Sequence, residues 1–275
     1  MGSVFSPYYA WAGRRAPENH VSMNVALYGP KARWCMTERG ADALDRSEHH
    51  FAIGGSAMKW MGTHLEVAID ERAVPHMSRV RGTVRLFPQA VTDQEVALHA
   101  SHVWRPFAPV SRIEVDFPQP GLKWTGHGYL DGNFGVTALE DDFKYWTWGR
   151  FPTPTGARTF YDVTDRTGQD LNVCLDFDER GQVREVEAPP KTPLSTTLWR
   201  VARETRADAG ALARETQRME DAPFYARAAV ETTIDGRTTT GVHEALDCDR
   251  FAASWVRMLL PWRMPRAVGP VSRVF

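Results

Sequence analysis

The chain has 275 residues, with 33 lysines and arginines against 34 acids and a formal net charge of −1. That balance excludes the broad basic field by which proteins hold nucleic acid, and no stretch approaches the roughly 18 apolar residues that carry a helix across a bilayer. Three cysteines, Cys35, Cys174 and Cys248, are widely spaced and odd in number, which argues against a disulfide framework and against zinc or redox pairs.

The N-terminus has no basic region followed by an apolar core, so no signal peptide is expected. Met1-Gly2-Ser3 with Ser6 fits the loose myristoylation pattern. Phe5 to Pro17 is aromatic and turn-rich, suited to lying across a hydrophobic surface. Val21–Tyr28 alternates as a strand closed by Gly29-Pro30, and Arg33–Arg39 follows as its hairpin partner. Residues 41–50 are polar, a short helix or a long loop. Thr63–Asp70 alternates strictly, with Leu65, Val67 and Ile69 on one face. Val80–Phe87 alternates too, and its arginines Arg79, Arg81 and Arg85 form a solvated face. Short strands at this spacing, separated by Gly, Pro and Asp turns, indicate antiparallel β architecture.

Residues 99–118 contain His99, His102, Trp104 and a β segment from Arg112 to Phe117. Two histidines three apart are a start toward a metal site, but no third ligand lies nearby in sequence, and none is expected. Beyond residue 140 a second set of strands is predicted over Lys144–Arg150, Arg158–Asp162, Leu171–Asp178, Val183–Ala188, Leu198–Glu204 and Ala226–Ile234. The Ala/Arg/Glu pattern of Ala207–Glu220 permits a short helix. Asp249–Leu260 has helical spacing, with Phe251, Trp255, Met258 and Leu259 on one stripe. Arg250, Arg257, Arg263, Arg266 and Arg273 meet no acid after Asp249. Such a helix either docks on its own domain or lies in a membrane interface.

Trp124–Gly135, WTGHGYLDGNFG, is the densest run of chemistry-bearing residues. His127, Tyr129 and Asp131 are two apart, so an extended strand sends all three from one face. A carboxyl, a phenol and an imidazole side by side form a candidate acid–base cluster. The competing structural account is a polar strand face, or a hairpin turn at Asp131-Gly132.

Several separate segments carry a family resemblance. Phe5-Ser6-Pro7-Tyr8-Tyr9, Pro17-Glu18-Asn19-His20, Asn24–Gly29 and Met36-Thr37-Glu38-Arg39-Gly40 resemble the opening of the acyclic carotenoid 1,2-hydratases, or hydroxyneurosporene synthases, of phototrophic bacteria. Gly128–Gly135 resembles that family's central signature, and Arg250-Phe251 and Leu260–Arg266 are similar to its C-terminal part. The resemblance implies an all-β fold of two lipocalin-like antiparallel β-barrels with a short C-terminal helix, here residues 1–140 and 141–275. It also implies hydration of the terminal C1–C2 double bond of neurosporene or lycopene without a cofactor. Asp131 is then the acid, assisted by Tyr129 and Trp104, with His127, Trp124, Phe134 and Asn133 as substrate-lining candidates. Related sequences often have a His or a larger residue in place of Gly132 and a Trp in place of Phe134, which bears on those two positions and not on Asp131.

Hydrating an unactivated trisubstituted alkene requires a proton on C2 and capture of the resulting tertiary C1 cation by water. The acid must stay protonated near neutral pH, well above the ordinary Asp value of about 3.9, and burial among apolar side chains acts in that direction. Aromatic faces of Trp104 and Tyr129 stabilise a cation by about 2 kcal/mol when desolvated. The partners expected are a hydrophobic acyclic carotenoid, water and a membrane surface contacted peripherally from the cytoplasm, through Phe5–Trp11 and the Arg/Trp-rich C-terminus. A non-catalytic lipid carrier, or a pericyclase acting on a polyene, uses the same kind of apolar cavity without needing a protonated Asp131 or delivered water.

Overall fold

The computed structural model describes residues 4–267, so the Met1-Gly2-Ser3 motif and Arg273 lie outside the described residues. Helix α1 (Pro7–Trp11) is followed by short strands β1 (Val21–Ser22), β2 (Val25–Leu27), β3 (Arg33–Cys35) and β4 (Glu38–Arg39). Next come β5 (Leu44–Arg46), β6 (His50–Ile53), β7 (Ser56–Trp60), β8 (Leu65–Arg72) and β9 (Arg79–Pro88). Three strands of rising importance for the site complete this half: β10 (Val96–His99), β11 (His102–Gln119) and β12 (Leu122–Gly135). After α2 (Leu139–Asp142) the chain forms β13 (Phe143–Thr153), β14 (Gly156–Asp165), β15 (Asp170–Asp178) and β16 (Val183–Glu185). It continues through β17 (Lys191–Pro193), β18 (Glu204–Arg206), β19 (Arg214–Asp221), β20 (Tyr225–Ile234) and β21 (Arg237–Asp247) to α3 (Cys248–Ala252) and α4 (Ser254–Arg263).

The described residues fall into two compact units, one of residues 4–88, 111–128 and 257–267, the other of residues 89–110 and 129–256. In the first unit the ladder runs β11-β9-β8-β7-β6-β5, each pair antiparallel. Its core is Val21, Cys35, Ile53, Ile69, Val80, Val115 and Phe117. Gly82 permits the close crossing of β9 and β11, since a Cβ there would sit 2.4 Å from the Asp116 carbonyl oxygen. Arg79 and Arg85 face solvent and pair with Asp70 and Glu66.

In the second unit the order is β16-β15-β14-β13-β21-β20-β19. Its two edges, β16 and β19, are different strands, and no ladder joins them among the described residues. The sheet of the preceding strands runs from β10 to β5, with β12 also paired to β11, and no ladder joins β5 to β10 among the described residues. A barrel requires its first and last strands to pair, so the expected two lipocalin-like barrels are not formed. The fold is mixed, with large open antiparallel sheets and short helices. The three-residue length of β16 and the exposed Arg214 and Arg218 of β19 blunt the free edges.

Two local expectations also fail. The Ala207–Glu220 stretch is not helical; its second half is β19, paired along β20, because sheet pairing outweighs a weak helix preference. Leu198–Glu204 is largely irregular, and the strand there starts only at Glu204. Strand β21, not predicted, is set by a two-residue turn at Asp235-Gly236, both at positive φ of 51° and 72°.

At the C-terminus the predicted helix breaks at Ala253, whose ψ of 131° is extended. Phe251 is buried on α3 against Phe224, with ring centroids 5.0 Å apart. The rest of the stripe, Trp255, Met258 and Leu259, belongs to α4 and is exposed, as is Trp262.

The segments that carried the resemblance at the two chain ends meet inside the first unit. Glu38 is fully buried, and its carboxylate receives Ser6, His20 and Arg266, with His20 Nδ1 at 2.9 Å from Oε1. Ser6 also caps α1 by accepting the Tyr9 amide. Removing one member of a buried ionic group leaves its partners uncompensated. Glu38→Ala is therefore expected to cost about 3–5 kcal/mol in chemical denaturation; a loss below about 1 kcal/mol would make the group a spectator.

Candidate functional site

Strand β12 runs straight through Asp131-Gly132, so the hairpin alternative is excluded. Its residues Tyr129, Asp131 and Asn133 are two apart and leave from one face. Tyr129 Oη donates to Asp131 Oδ2 at 3.0 Å. Trp104 Nε1, from the first turn of β11 and fully buried, donates to the same oxygen at 2.8 Å. Asn133 Oδ1 accepts from Tyr161 Oη at 3.3 Å.

The opposing wall comes from β13 and β14. Trp146, Trp148 and Arg150 alternate onto one face, while Phe151 points the other way into the core with Phe160, Cys174 and Val230. Trp148 packs on Tyr129 with ring centroids 5.2 Å apart. Tyr161 meets Trp104 edge-on at 5.5 Å and Trp146 at 5.7 Å. The Arg150 guanidinium lies 5.8 Å from the Tyr129 ring centroid and donates twice to the Pro109 carbonyl, at 3.0 and 2.9 Å. The Trp148 Nε1–H is buried with no hydrogen-bond partner among the described residues.

Burial raises the Asp131 carboxyl above the usual aspartate range, against the two neutral hydrogen bonds from Trp104 and Tyr129, which favour its charged form; the charge on Glu244 raises it further and Arg227 lowers it. Desolvation also lifts the Tyr129 and Tyr161 phenols well above their ordinary value, so both remain protonated donors. Because Oδ2 already accepts two hydrogen bonds, the proton of the neutral acid belongs on Oδ1. The arrangement is an acid in an aromatic enclosure, ready to protonate a weakly basic, apolar partner.

Of the residues singled out from the sequence, Trp104, Tyr129 and Asp131 form this hydrogen-bonded cluster, and Asn133 reaches it through Tyr161. Phe134 is half exposed and meets Phe107 edge-on at 6.2 Å. His127 and Trp124 are exposed and belong to the first unit. His99 and His102 gather around Asp142 instead of a metal: His102 Nε2 lies 3.0 Å from Oδ2, and Ser101 Oγ bridges His99 to the same oxygen at 2.9 and 2.6 Å. Among the described residues no group of three or more His, Cys, Asp or Glu side chains is arranged to hold a metal ion. Burial lowers the His102 pKa, opposed by Asp142, and Gly135 makes room for the ring, since a Cβ there would lie 2.2 Å from Nδ1. Trp146, Trp148, Arg150, Tyr161 and Glu244 were not singled out. The i, i+2, i+4 spacing of Trp146, Trp148 and Arg150 was the available signal, but both faces of β13 are buried, so alternation did not mark one as special.

A family model described as carotenoid hydratase CrtC matches residues 1–272. The chain is 49% identical over 276 residues to the acyclic carotenoid 1,2-hydratase of Thiocapsa roseopersicina, covering 98% of this chain and 68% of that protein. It is 48% identical over 272 residues to the acyclic carotenoid 1,2-hydratase of Cereibacter sphaeroides, covering 98% and 97% of the two chains. A crystal structure described as an AttH protein from Nitrosomonas europaea matches with a TM-score of 0.59 at 13% identity, over 81% of this chain and 80% of that one, a likeness of fold alone.

Trp104 supplies a donor that favours the Asp131 carboxylate, so Trp104→Phe is expected to move the Asp131 titration to higher pH. Infrared difference spectra, with Asp131→Asn as the reference for assigning the carboxyl band, check the direction. A shift to lower pH would show that the indole N–H holds the neutral acid.

Proposed function

The chain belongs to the carotenoid hydratase family and hydrates a carotenoid double bond, and on that premise we propose that Asp131 is the acid of the reaction. One observation carries the assignment: a carboxyl lifted by burial and hydrogen-bonded, among the described residues, by the neutral donors Trp104 and Tyr129. In the first step the π electrons of the C1–C2 bond take the Oδ1 proton to C2. The O–H bond breaks toward Asp131, and a tertiary cation remains at C1. Trp104, Tyr129 and Trp148 offer aromatic faces to that cation, worth about 2 kcal/mol where desolvated. Water then forms the C1–O bond and gives up a proton, yielding the 1-hydroxy carotenoid. Trp104 and Tyr129 stabilise the carboxylate left behind, so the donors that oppose protonation in the resting state assist once the proton has gone. The acid form is the active one, so activity falls as pH rises through the Asp131 pKa.

Incubation with neurosporene or lycopene in lipid and heavy-oxygen water tests this. The expected product carries a labelled tertiary hydroxyl at C1 and is reduced by a factor of about 100 or more in Asp131→Asn. Substantial hydration by that variant would overturn the assignment, and bound but unchanged carotenoid with the native chain would favour a carrier.

The substrate partitions into bilayers, while no helix among the described residues is long and apolar enough to cross one. We place the peripheral contact on α4. Trp255, Met258, Leu259 and Trp262 stand at i, i+3, i+4 and i+7, the last 78% exposed. Arg257 and Arg263 lie on the same helix, and Trp199 packs near Trp255 with ring centroids 6.2 Å apart, beside exposed Leu198. Aromatic and aliphatic side chains with arginines suit the headgroup boundary of an anionic membrane. Point substitutions are the cleaner test, because deleting the segment would remove Arg266 from Glu38. Trp255→Ser with Trp262→Ser is expected to lower flotation with anionic liposomes at least severalfold; unchanged flotation would move the contact elsewhere.

A further inference from the structure

The wall opposite Asp131 carries a second carboxylate. Tyr161, Trp148, Glu244 and Arg227 stand directly opposite one another across four neighbouring strands, Tyr161 on β14, Trp148 on β13, Glu244 on β21 and Arg227 on β20. Directly opposed side chains share a sheet face, so the four form one row. β12 lies over this row: Tyr129 packs on Trp148 and Asn133 bonds Tyr161, with Asp131 between them in sequence. Glu244 is therefore next in line after the ring that packs on Tyr129.

The two carboxyl groups are held differently. Asp131 has neutral donors only, whereas Glu244 receives the Arg227 guanidinium, with Nε at 2.9 Å from Oε1 and Nη2 as a second donor. The guanidinium fixes the Glu244 carboxylate on the face that Asp131 overlies, whereas Asp131 is held by an indole N–H and a phenol. Glu244 also lies within electrostatic reach of Asp131, since its charge helps hold the Asp131 proton. Trp148, the neighbour of Glu244 in the row and the ring packed on Tyr129, has a buried Nε1–H without a partner among the described residues, a donor available to a molecule that a carboxylate also accepts from.

Resting on Asp131 as the acid, we propose that Glu244 is the base of the hydration, accepting a proton from the attacking water while Trp148 Nε1–H orients that water. A water lone pair forms the C1–O bond; one water O–H bond breaks, its electrons remain on oxygen, and its proton passes to a Glu244 oxygen. Asp131 ends as carboxylate and Glu244 as neutral acid. After product leaves, the proton returns to Asp131 through solvent, so the cycle consumes only water and alkene.

Azide separates the two steps, because an anionic nucleophile captures the cation without needing a base. With neurosporene in lipid, Glu244→Gln is expected to lose hydration by about 100-fold or more, and added sodium azide is expected to yield the C1 azide adduct. Asp131→Asn forms no cation and yields neither product. Hydration by Glu244→Gln at the native rate overturns the proposal, and so does a folded, inactive Glu244→Gln that gives no azide adduct. Should thermal melting show that Glu244→Gln does not fold, Trp148→Phe decides: slowed hydration with a raised azide-adduct fraction supports the water site, and native behaviour overturns it. Hydration retained in Asp131→Asn would instead bring down the acid assignment, whatever Glu244→Gln does.

Discussion

One oxygen, Asp131 Oδ2, accepts from two neutral donors, and the chemistry depends on that. A carboxyl paired with a cation would be ionised and useless as an acid toward an alkene. A carboxyl with no partner at all would be costly to bury, and free to rotate. Trp104 and Tyr129 fix the group without supplying charge, at 2.8 and 3.0 Å. Desolvation then raises the carboxyl pKa, because it outweighs both hydrogen bonds. In the proposed reaction the occupied Oδ2 leaves Oδ1 as the oxygen that carries and delivers the proton.

That geometry needs donors from separate elements held at fixed spacing. Tyr129 and Asp131 come from β12 and Trp104 from the start of β11, so neither strand alone builds the site. The C-terminal sheet supplies the backing by dividing its labour between faces. Phe151, Phe160 and Val230 on one side make a dry core, while Trp146, Trp148 and Tyr161 on the other form an aromatic surface beside the Glu244–Arg227 pair. Arg150 sits on this second side and gives its Nε and Nη2 donors to the Pro109 carbonyl, not to Asp131. Strand alternation thus produces a packed core and a desolvated reaction surface from the same residues of backbone.

The sequence was most legible where chemistry and period coincided. The two-residue spacing of Tyr129 and Asp131 placed them on one face, and Thr63–Asp70 and Val80–Phe87 are strands because their alternation is strict. His127 shares the spacing, yet its side chain is exposed, since periodicity assigns a face without saying how far along the strand that face is covered. Glu244 was illegible because it gains meaning only from register: β21 sets it opposite Trp148 and Arg227, residues 96 and 17 positions away. Closure of the sheets was illegible for the same reason. Alternation reports strands, whereas a barrel is decided by whether β16 and β19 pair, a long-range fact that no local pattern contains. The break at Ala253 shows the limit for helices, since one extended residue sends Phe251 inward and leaves Trp255 outside.

The segments that most resembled the family turn out to have two different physical meanings. Ser6, His20, Glu38 and Arg266 come from four such segments, and they meet at one buried carboxylate. Glu38 is there surrounded by an arginine, an imidazole and a hydroxyl. Asp131, from the central segment, has burial without a cation. Both are buried acids in motifs of equal prominence, and sequence resemblance alone gives no reason to prefer one as the catalyst. The neighbours distinguish them: Glu38 is locked to the Arg266 guanidinium from the far end of the chain, while burial raises the pKa of the carboxyl of Asp131, the acid we propose.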